Sequence, residues 1–257
     1  MAALDRFAVA ALSGTSPVAR YLRPIVNRMV PDAAMPVTVL SGAARGCRLV
    51  IRPRKEKFYW TGVYEPHLQR AIRQLLQPGQ TFWDVGAHIG FFAVIASRAV
   101  GASGQVHCFE PMDDNRERLG RTVALNGLAN VTISDLAVGG ESGHATLYPH
   151  EHSQMWALGG HQVQNGQEGV PVRVCSLDDL AAKFGDPHVV KVDVEGAELE
   201  VLRGGTRLLR RARPVMLVEM SSEQVLAQAH DELRFCTFRH LGANHWLVRP
   251  TSSVDHR

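Results

Sequence analysis

The sequence predicts an α/β fold, a doubly wound and mostly parallel sheet with a smaller helical and hairpin appendage ahead of it. Two observations carry that prediction: from about residue 67 apolar strand runs alternate with helical stretches, and four of those runs end on a carboxylate. Alternation implies parallel strands joined by right-handed crossovers, with helices covering both faces of the sheet. A carboxylate closing an apolar run needs a ligand, a partner or a turn to hold it. Length agrees, because 257 residues suit one substantial α/β core with an appendage and are few for two full domains.

The elements follow in order. Residues 1 to about 35 read as short amphipathic helical segments broken by Pro17, Pro24 and Pro31, since an interior proline removes an amide donor and clashes with the preceding turn. Val37–Leu40 and Cys47–Ile51 flank the glycine-containing loop Ser41–Gly46, which predicts a hairpin. Residues 1–66 are therefore assigned to the appendage and 67–257 to the main domain. Leu68, Ile72, Leu75 and Leu76 share one helical face, and Gln77-Pro-Gly-Gln80 stops that helix. The periodicity then predicts strand 81–85, helix 89–100, strand 105–110, helix 113–126, strand 131–138, strand 188–194, helix 196–210 and strand 214–219. Residues 144–149 and 170–176 read as extra strands around a polar loop, and 235–241 with 244–249 as a closing hairpin.

Composition narrows the function. Hydrophobic residues at 45% and charged residues at 21% are ordinary globular values, and net charge is +3. The early apolar stretch Phe7–Leu12 is far shorter than the ~20 residues of a bilayer span, so neither stable membrane insertion nor a signal peptide is expected. Cys47, Cys108, Cys175 and Cys236 are scattered without a C-x-x-C pair, which fits reduced thiols in a cytoplasm. The basic clusters Arg52–Lys57 and Arg210–Arg213 are short, interrupted and not interleaved with aromatic platforms. They read as solvated faces, and no nucleic-acid partner is expected. Nothing in the sequence fixes an oligomeric state.

The four terminal carboxylates are Asp84, Glu110, Asp193 and Glu219. Open α/β sheets bind ligands in the crevice beyond such strand ends, where the strand order reverses. Asp84-Val-Gly86 runs through His88-Ile-Gly90 into a helix, placing glycines where backbone approaches a ligand closely and helix packs on strand. A dinucleotide fingerprint needs glycines at i, i+2 and i+5, but Gly86, His88 and Phe91 occupy those positions, so the nicotinamide reading fails locally. Glu110, ending the second strand, is placed to accept hydrogen bonds from a ribose diol. Along Lys191-Val-Asp193-Val-Glu195, the period of two puts Lys191, Asp193 and Glu195 on one face and the valines on the other. A polar face there demands pairing or chemistry. An ion pair of Lys191 with Asp193, with Glu195 capping the next helix, would satisfy the first demand without the second.

These segments resemble the FkbM family of S-adenosylmethionine-dependent methyltransferases over roughly residues 60–220. The matching stretches are Gly62-Val-Tyr-Glu65, Phe82-Trp-Asp-Val-Gly-Ala-His-Ile-Gly90, Phe109-Glu-Pro111, Asn126, Ala137-Val-Gly139, Ser176-Leu-Asp178, Lys191-Val-Asp-Val-Glu-Gly-Ala-Glu198 and Val218-Glu219. The resemblance implies a class I methyltransferase, Rossmann-like sheet ending in an antiparallel strand, with S-adenosyl-L-methionine as cofactor. Carried over, it implies that Asp84, Gly86 and Gly90 shape the methionine side of the pocket, with His88 standing where the family more often has asparagine. Glu110, with Pro111 after it, would hold the ribose. Backbone at Leu136 and Ala137 would face the adenine, with Asp135 contributing, and Tyr64 and Glu65 would lie near the mouth.

Methyl transfer aligns nucleophile, methyl and sulfur, and a hydroxyl nucleophile must also lose a proton. Asp193 or Glu195 is the expected base, and Lys191 the group that orients it. The expected reaction is O-methylation of a hydroxyl on a sugar, glycan or natural product, by analogy with the family. Two alternatives stand beside it: a non-catalytic module that only binds S-adenosylmethionine, and a metal-assisted O-methyltransferase using His150, His152 and His161. Loop histidines are ordinarily solvated, so no metal ligand is assigned. The loop 150–169, with Trp156, Gly159 and Gly160, is a candidate cover for a bound acceptor.

Overall fold

The computed structural model describes residues 33–149, 156–158 and 169–251. The N-terminal helical segments and most of the 150–169 loop, including His150, His152, His161, Gly159 and Gly160, lie outside the described residues. The chain opens with an antiparallel hairpin of β1 (Met35–Thr38) and β2 (Arg48–Ile51), followed by α1 (Lys57–Thr61) and α2 (Pro66–Leu75). Then come β3 (Thr81–Val85), α3 (Phe91–Val100), β4 (Gln105–Phe109), α4 (Asp113–Asn126) and β5 (Val131–Ser134). A second, small sheet takes β6 (Ala137–Gly139), β7 (Gly143–Pro149), β8 (Trp156–Leu158) and β9 (Val170–Ser176). The main sheet resumes with α5 (Leu177–Phe184), β10 (Val189–Val192), α6 (Glu198–Arg203), α7 (Thr206–Arg211) and β11 (Val215–Glu219). The described chain closes with α8 (Glu223–Glu232), β12 (Cys236–Gly242) and β13 (His245–Pro250).

The main sheet has seven strands in the order β12-β13-β11-β10-β3-β4-β5. Strands β11 through β5 in that order are parallel, while β13 runs antiparallel to both β11 and β12. This is the doubly wound, mostly parallel arrangement that the alternation predicts. Successive side chains of a strand point to opposite faces, so one run of residues feeds two cores. Phe82 packs with Ile72, Val94 and Leu217 under α2 and α3, whereas its neighbour Trp83 packs with Leu180, Val190, Leu202 and Met216 under the helices of the other face. The β1–β2 hairpin adds Val39, Leu49 and Ile51 to the first of those cores.

Two expected elements are interrupted. The predicted strand 131–138 breaks after Ser134: β5 stays in the main sheet, and Ala137 pairs instead with Val174 of the small sheet. The alternation Val131-Thr-Ile-Ser134 loses its phase at Asp135, which is where the chain leaves the main sheet. The predicted helix 196–210 divides at Gly204-Gly205 into α6 and α7. A Cβ at Gly204 would stand 2.4 Å from the carbonyl oxygen of Gly139, so the helix closes on the small sheet only because that position has no side chain. Helices α1, α5 and α8 are not among the sequence expectations. Ser176 and Ser222 cap the latter two, accepting from the amides of Asp179 and Val225.

Candidate active site

The strand order reverses between β3 and β10, which run parallel. From β3 the connections lead outward to β4 and β5, and the later strands β10 and β11 lie on its other side. Beyond the carboxyl ends of these strands opens a cavity of about 380 Å³, within the range of small-molecule sites. Gly86, Glu110, Leu136, Ala137, Asp193 and Glu195 are among its lining residues.

The turn after β3 is held tightly. A Cβ at Gly86, whose φ is +75°, would stand 1.8 Å from the carbonyl oxygen of Asp193, so the β3 and β10 turns meet there backbone to backbone. His88 also has positive φ, +49°, a conformation that asparagine and histidine tolerate better than most residues. Its amide donates to Glu110 Oε2 at 2.8 Å, and the amide of Met112 and the side chain of Asn115 donate to Oε1 at 3.0 and 3.3 Å. Burial pushes the Glu110 carboxyl upward, and these donors oppose the shift. With one donor on Oε2 and two on Oε1, one lone pair, on Oε2, is left for a hydroxylated ligand.

Beneath the cavity floor lies an ion cluster. Lys191 stands opposite Asp84 in the β10–β3 ladder, its Nζ 3.3 Å from Asp84 Oδ1 and 3.3 Å from Asp193 Oδ2. It also donates to the carbonyl oxygen of Gly86 at 2.9 Å. Burial works against the ammonium, but Asp193, Asp84 and Glu65 outweigh it and hold Lys191 charged. Asp84 is fully buried and is raised by burial, with Lys191 pulling the other way. Asp193 is held below the ordinary carboxylate range. Burial would raise it, but the Lys191 charge and hydrogen bonds from Glu219 and Lys191 prevail. Its partner Glu219 is pushed up to about 9 by burial and by the Asp193 charge, so Glu219 carries the shared proton. Glu195, also at positive φ, is raised to about 7 by burial, Asp193 and Glu198.

The predicted site residues therefore divide. Tyr64, Gly86, His88, Glu110, Pro111, Ala137, Asp193 and Glu195 line the cavity. Asp84 and Lys191 lie behind that wall and act through Asp193 and Gly86, while Gly90 forms the N-terminal cap of α3 against Leu119. Glu65 sits at the start of α2, near His245. Asp135 is on the exterior, paired with Arg173 at 2.6 Å and lowered by that contact.

Sequence reasoning missed a whole wall. Lys55, Glu56, Phe58 and Tyr59, from α1 and the turn before it, line the cavity, as do Met112, Asn115 and Leu147. Tyr59 packs against Tyr64 with ring centres 4.3 Å apart and planes tilted by 42°, and its hydroxyl lies 3.3 Å from His88 Nδ1. The segment is fixed by Glu56, whose two oxygens receive Arg118 Nη1 of α4 at 2.8 and 3.0 Å in the interior. The aromatic run Phe58-Tyr-Trp60 was the available signal. Burial and the neighbouring Arg118 charge push His88 down to about 3, so its ring is neutral.

Comparison with known proteins bears on this arrangement. Residues 84–240 match the model of the methyltransferase FkbM domain. The hexuronic acid methyltransferase AglP of Haloferax volcanii is 34% identical over 154 residues, covering 58% of this chain. The match spans 61% of that relative, under two thirds of its length. Among solved structures, the methyltransferase FkbM from Methylobacillus flagellatus KT is 16% identical with a TM-score of 0.47, covering 70% of this chain and 50% of its own. A methyltransferase from Geobacter sulfurreducens is also 16% identical, with a TM-score of 0.46 and coverages of 72% and 78%. Structural likenesses of that size carry no argument about the site.

Proposed function

The chain belongs to the FkbM methyltransferase domain family, and from that premise we propose that it is an S-adenosylmethionine-dependent methyltransferase acting on a hydroxyl of a sugar or glycan. One observation carries the reading: Glu110, with a lone pair to spare, and Asp193, held ionised, face one cavity from the ends of β4 and β10, the strands on either side of β3. The named activity of the Haloferax relative supports a sugar acceptor.

The lining suits the cofactor. Leu136, Ala137 and Met112 offer apolar surface for a flat base, and Glu110 offers its remaining lone pair to a ribose hydroxyl. When bound, S-adenosylmethionine supplies an electrophilic methyl group on a positively charged sulfur. Asp193 accepts the hydroxyl proton of the acceptor at its carboxylate. Lys191 keeps that carboxylate ionised and, through the Gly86 carbonyl, ties it to the turn that shapes the donor side. Tyr59, Tyr64 and Phe58 form the wall contributed by α1 and the turn that follows it.

Calorimetry with S-adenosylhomocysteine, followed by transfer of labelled methyl to hexuronic-acid glycans, tests the reading. Binding with transfer is expected. Binding without transfer to any hydroxylated acceptor would favour a non-catalytic module, and no binding would end the proposal.

A further inference from the structure

Where the carboxyl end of the main sheet meets α2, acidic groups crowd together. Glu65, Asp193, Glu195 and Glu219 act on one another there, and Lys191 is the lysine among them. Three side chains of this region converge at a point away from the Lys191–Asp84 contact. Glu219 ends β11 and His245 opens β13, and the two are direct partners across the ladder. Glu65 enters from the turn before α2. One donor atom from each residue lies within 4.8 Å of the others. His245 Nε2 is 3.4 Å from Glu65 Oε2 and 4.0 Å from Glu219 Oε2.

The imidazole is the informative member. His245 is 2% exposed, its Nε2 makes no hydrogen bond among the described residues, and the adjacent Glu65 Oε2 is buried and likewise without one. On the opposite side of the ring, Nδ1 lies 3.0 Å from Nε2 of His67. With the Nδ1 proton given to His67, the Nε2 lone pair points at two carboxylate oxygens and no hydrogen stands between them. Metal-ligating histidines are commonly oriented in this way, the far nitrogen fixed by a second-shell partner.

We propose that Glu65, Glu219 and His245 bind a divalent transition-metal cation, with His67 orienting the imidazole. One nitrogen and two carboxylate donors suit Zn²⁺ or Mn²⁺. Donors around such an ion stand at most ~4 Å apart when each is about 2 Å from it, so small carboxylate rotations complete the set. Glu65 and Glu219 retain partial solvent exposure, which leaves the ion open to an outside oxygen. Asp193 is hydrogen-bonded to Glu219. On the methyltransferase reading, the ion therefore sits behind the base, linked to it through Glu219, while Asp193 itself lines the cavity.

The test uses the full chain, stripped with a chelator, titrated with MnCl₂ under electron paramagnetic resonance and with ZnCl₂ by calorimetry, without methyl donor. One saturable equivalent per chain is expected. H245A and E219Q should abolish it, and H67A should weaken it about 10- to 100-fold. Circular dichroism and thermal melts report whether each variant folds, and E65Q decides the matter if H245A does not. Absence of saturable binding, or binding unchanged in E65Q and E219Q, overturns the site. S-adenosylhomocysteine is titrated in parallel: donor binding without metal binding removes this inference alone, and metal binding without donor binding removes the methyltransferase reading alone.

Discussion

Lys191 and Asp84 face each other across the β10–β3 ladder, Nζ 3.3 Å from Oδ1, both sealed from solvent. The pair bridges two inner strands of the sheet, and breaking it by removing one partner should be costly. Lys191→Met leaves Asp84 and Asp193 without their shared cation and is expected to lose roughly 3 kcal/mol in urea unfolding. Lys191→Met combined with Asp84→Asn should recover part of that loss. A single variant within about 0.5 kcal/mol of the parent would show that the pair does not hold the sheet together.

Gly86→Ala places a methyl group 1.8 Å from the Asp193 carbonyl, at a φ of +75°. The two turns must separate, with expected destabilisation of at least about 2 kcal/mol. Binding of S-adenosylhomocysteine should weaken in parallel. A variant that melts with the parent would contradict the backbone contact.

Glu110→Gln keeps the shape of the side chain but removes its charge and turns one acceptor into a donor. Charge-assisted hydrogen bonds are worth about 1.5–3 kcal/mol, so the dissociation constant for S-adenosylhomocysteine should rise roughly 10- to 100-fold. An unchanged constant in calorimetry takes Glu110 off the cofactor site.

Asp193→Asn should lower kcat about 10²- to 10⁴-fold while leaving donor affinity nearly intact, as expected of a proton acceptor. Single-turnover measurements separate the chemical step from release. Unchanged turnover would move the base elsewhere, with Glu195 next in reach of the cavity.

Glu195 binds its proton more tightly folded, with a pKa of about 7, than its ordinary value of 4.5. The folded form is favoured by this group below pH 4.5, and that advantage fades as pH rises through about 7. Glu195→Gln should therefore flatten the decline of Tm between pH 4.5 and 8. The same slope in parent and variant would place the titration on another residue.

Much of the fold was legible because buried parallel strands read as unbroken apolar runs. Phe82-Trp83 and Val106 to Phe109 are of that kind, and the acids that end them marked the crevice. The break after Ser134 was overlooked although the sequence marks it: the alternation of Val131 and Ile133 fails at Asp135, where the chain passes from one sheet to the other. Helix α8 was missed although Val225, Leu226, Ala229 and Leu233 share one face, a short stripe of which Ala229 is the one buried member within the helix. The wall from α1 was hidden for a different reason. Glu56 and Arg118 are 62 positions apart, and nothing local announces that pairing.

That pairing sets a limit on how the molecule can be pared down. A version beginning at Pro66 would keep every strand of the seven-stranded sheet yet discard Glu56, leaving the Arg118 guanidinium in the interior with only Asp114 and Asn115 of its own helix as partners. The same cut would strip Tyr59 from Tyr64 and lay one flank of the hollow bare. The segment ahead of Pro66 is thus a buttress, and the smallest workable unit has to reach back past Glu56.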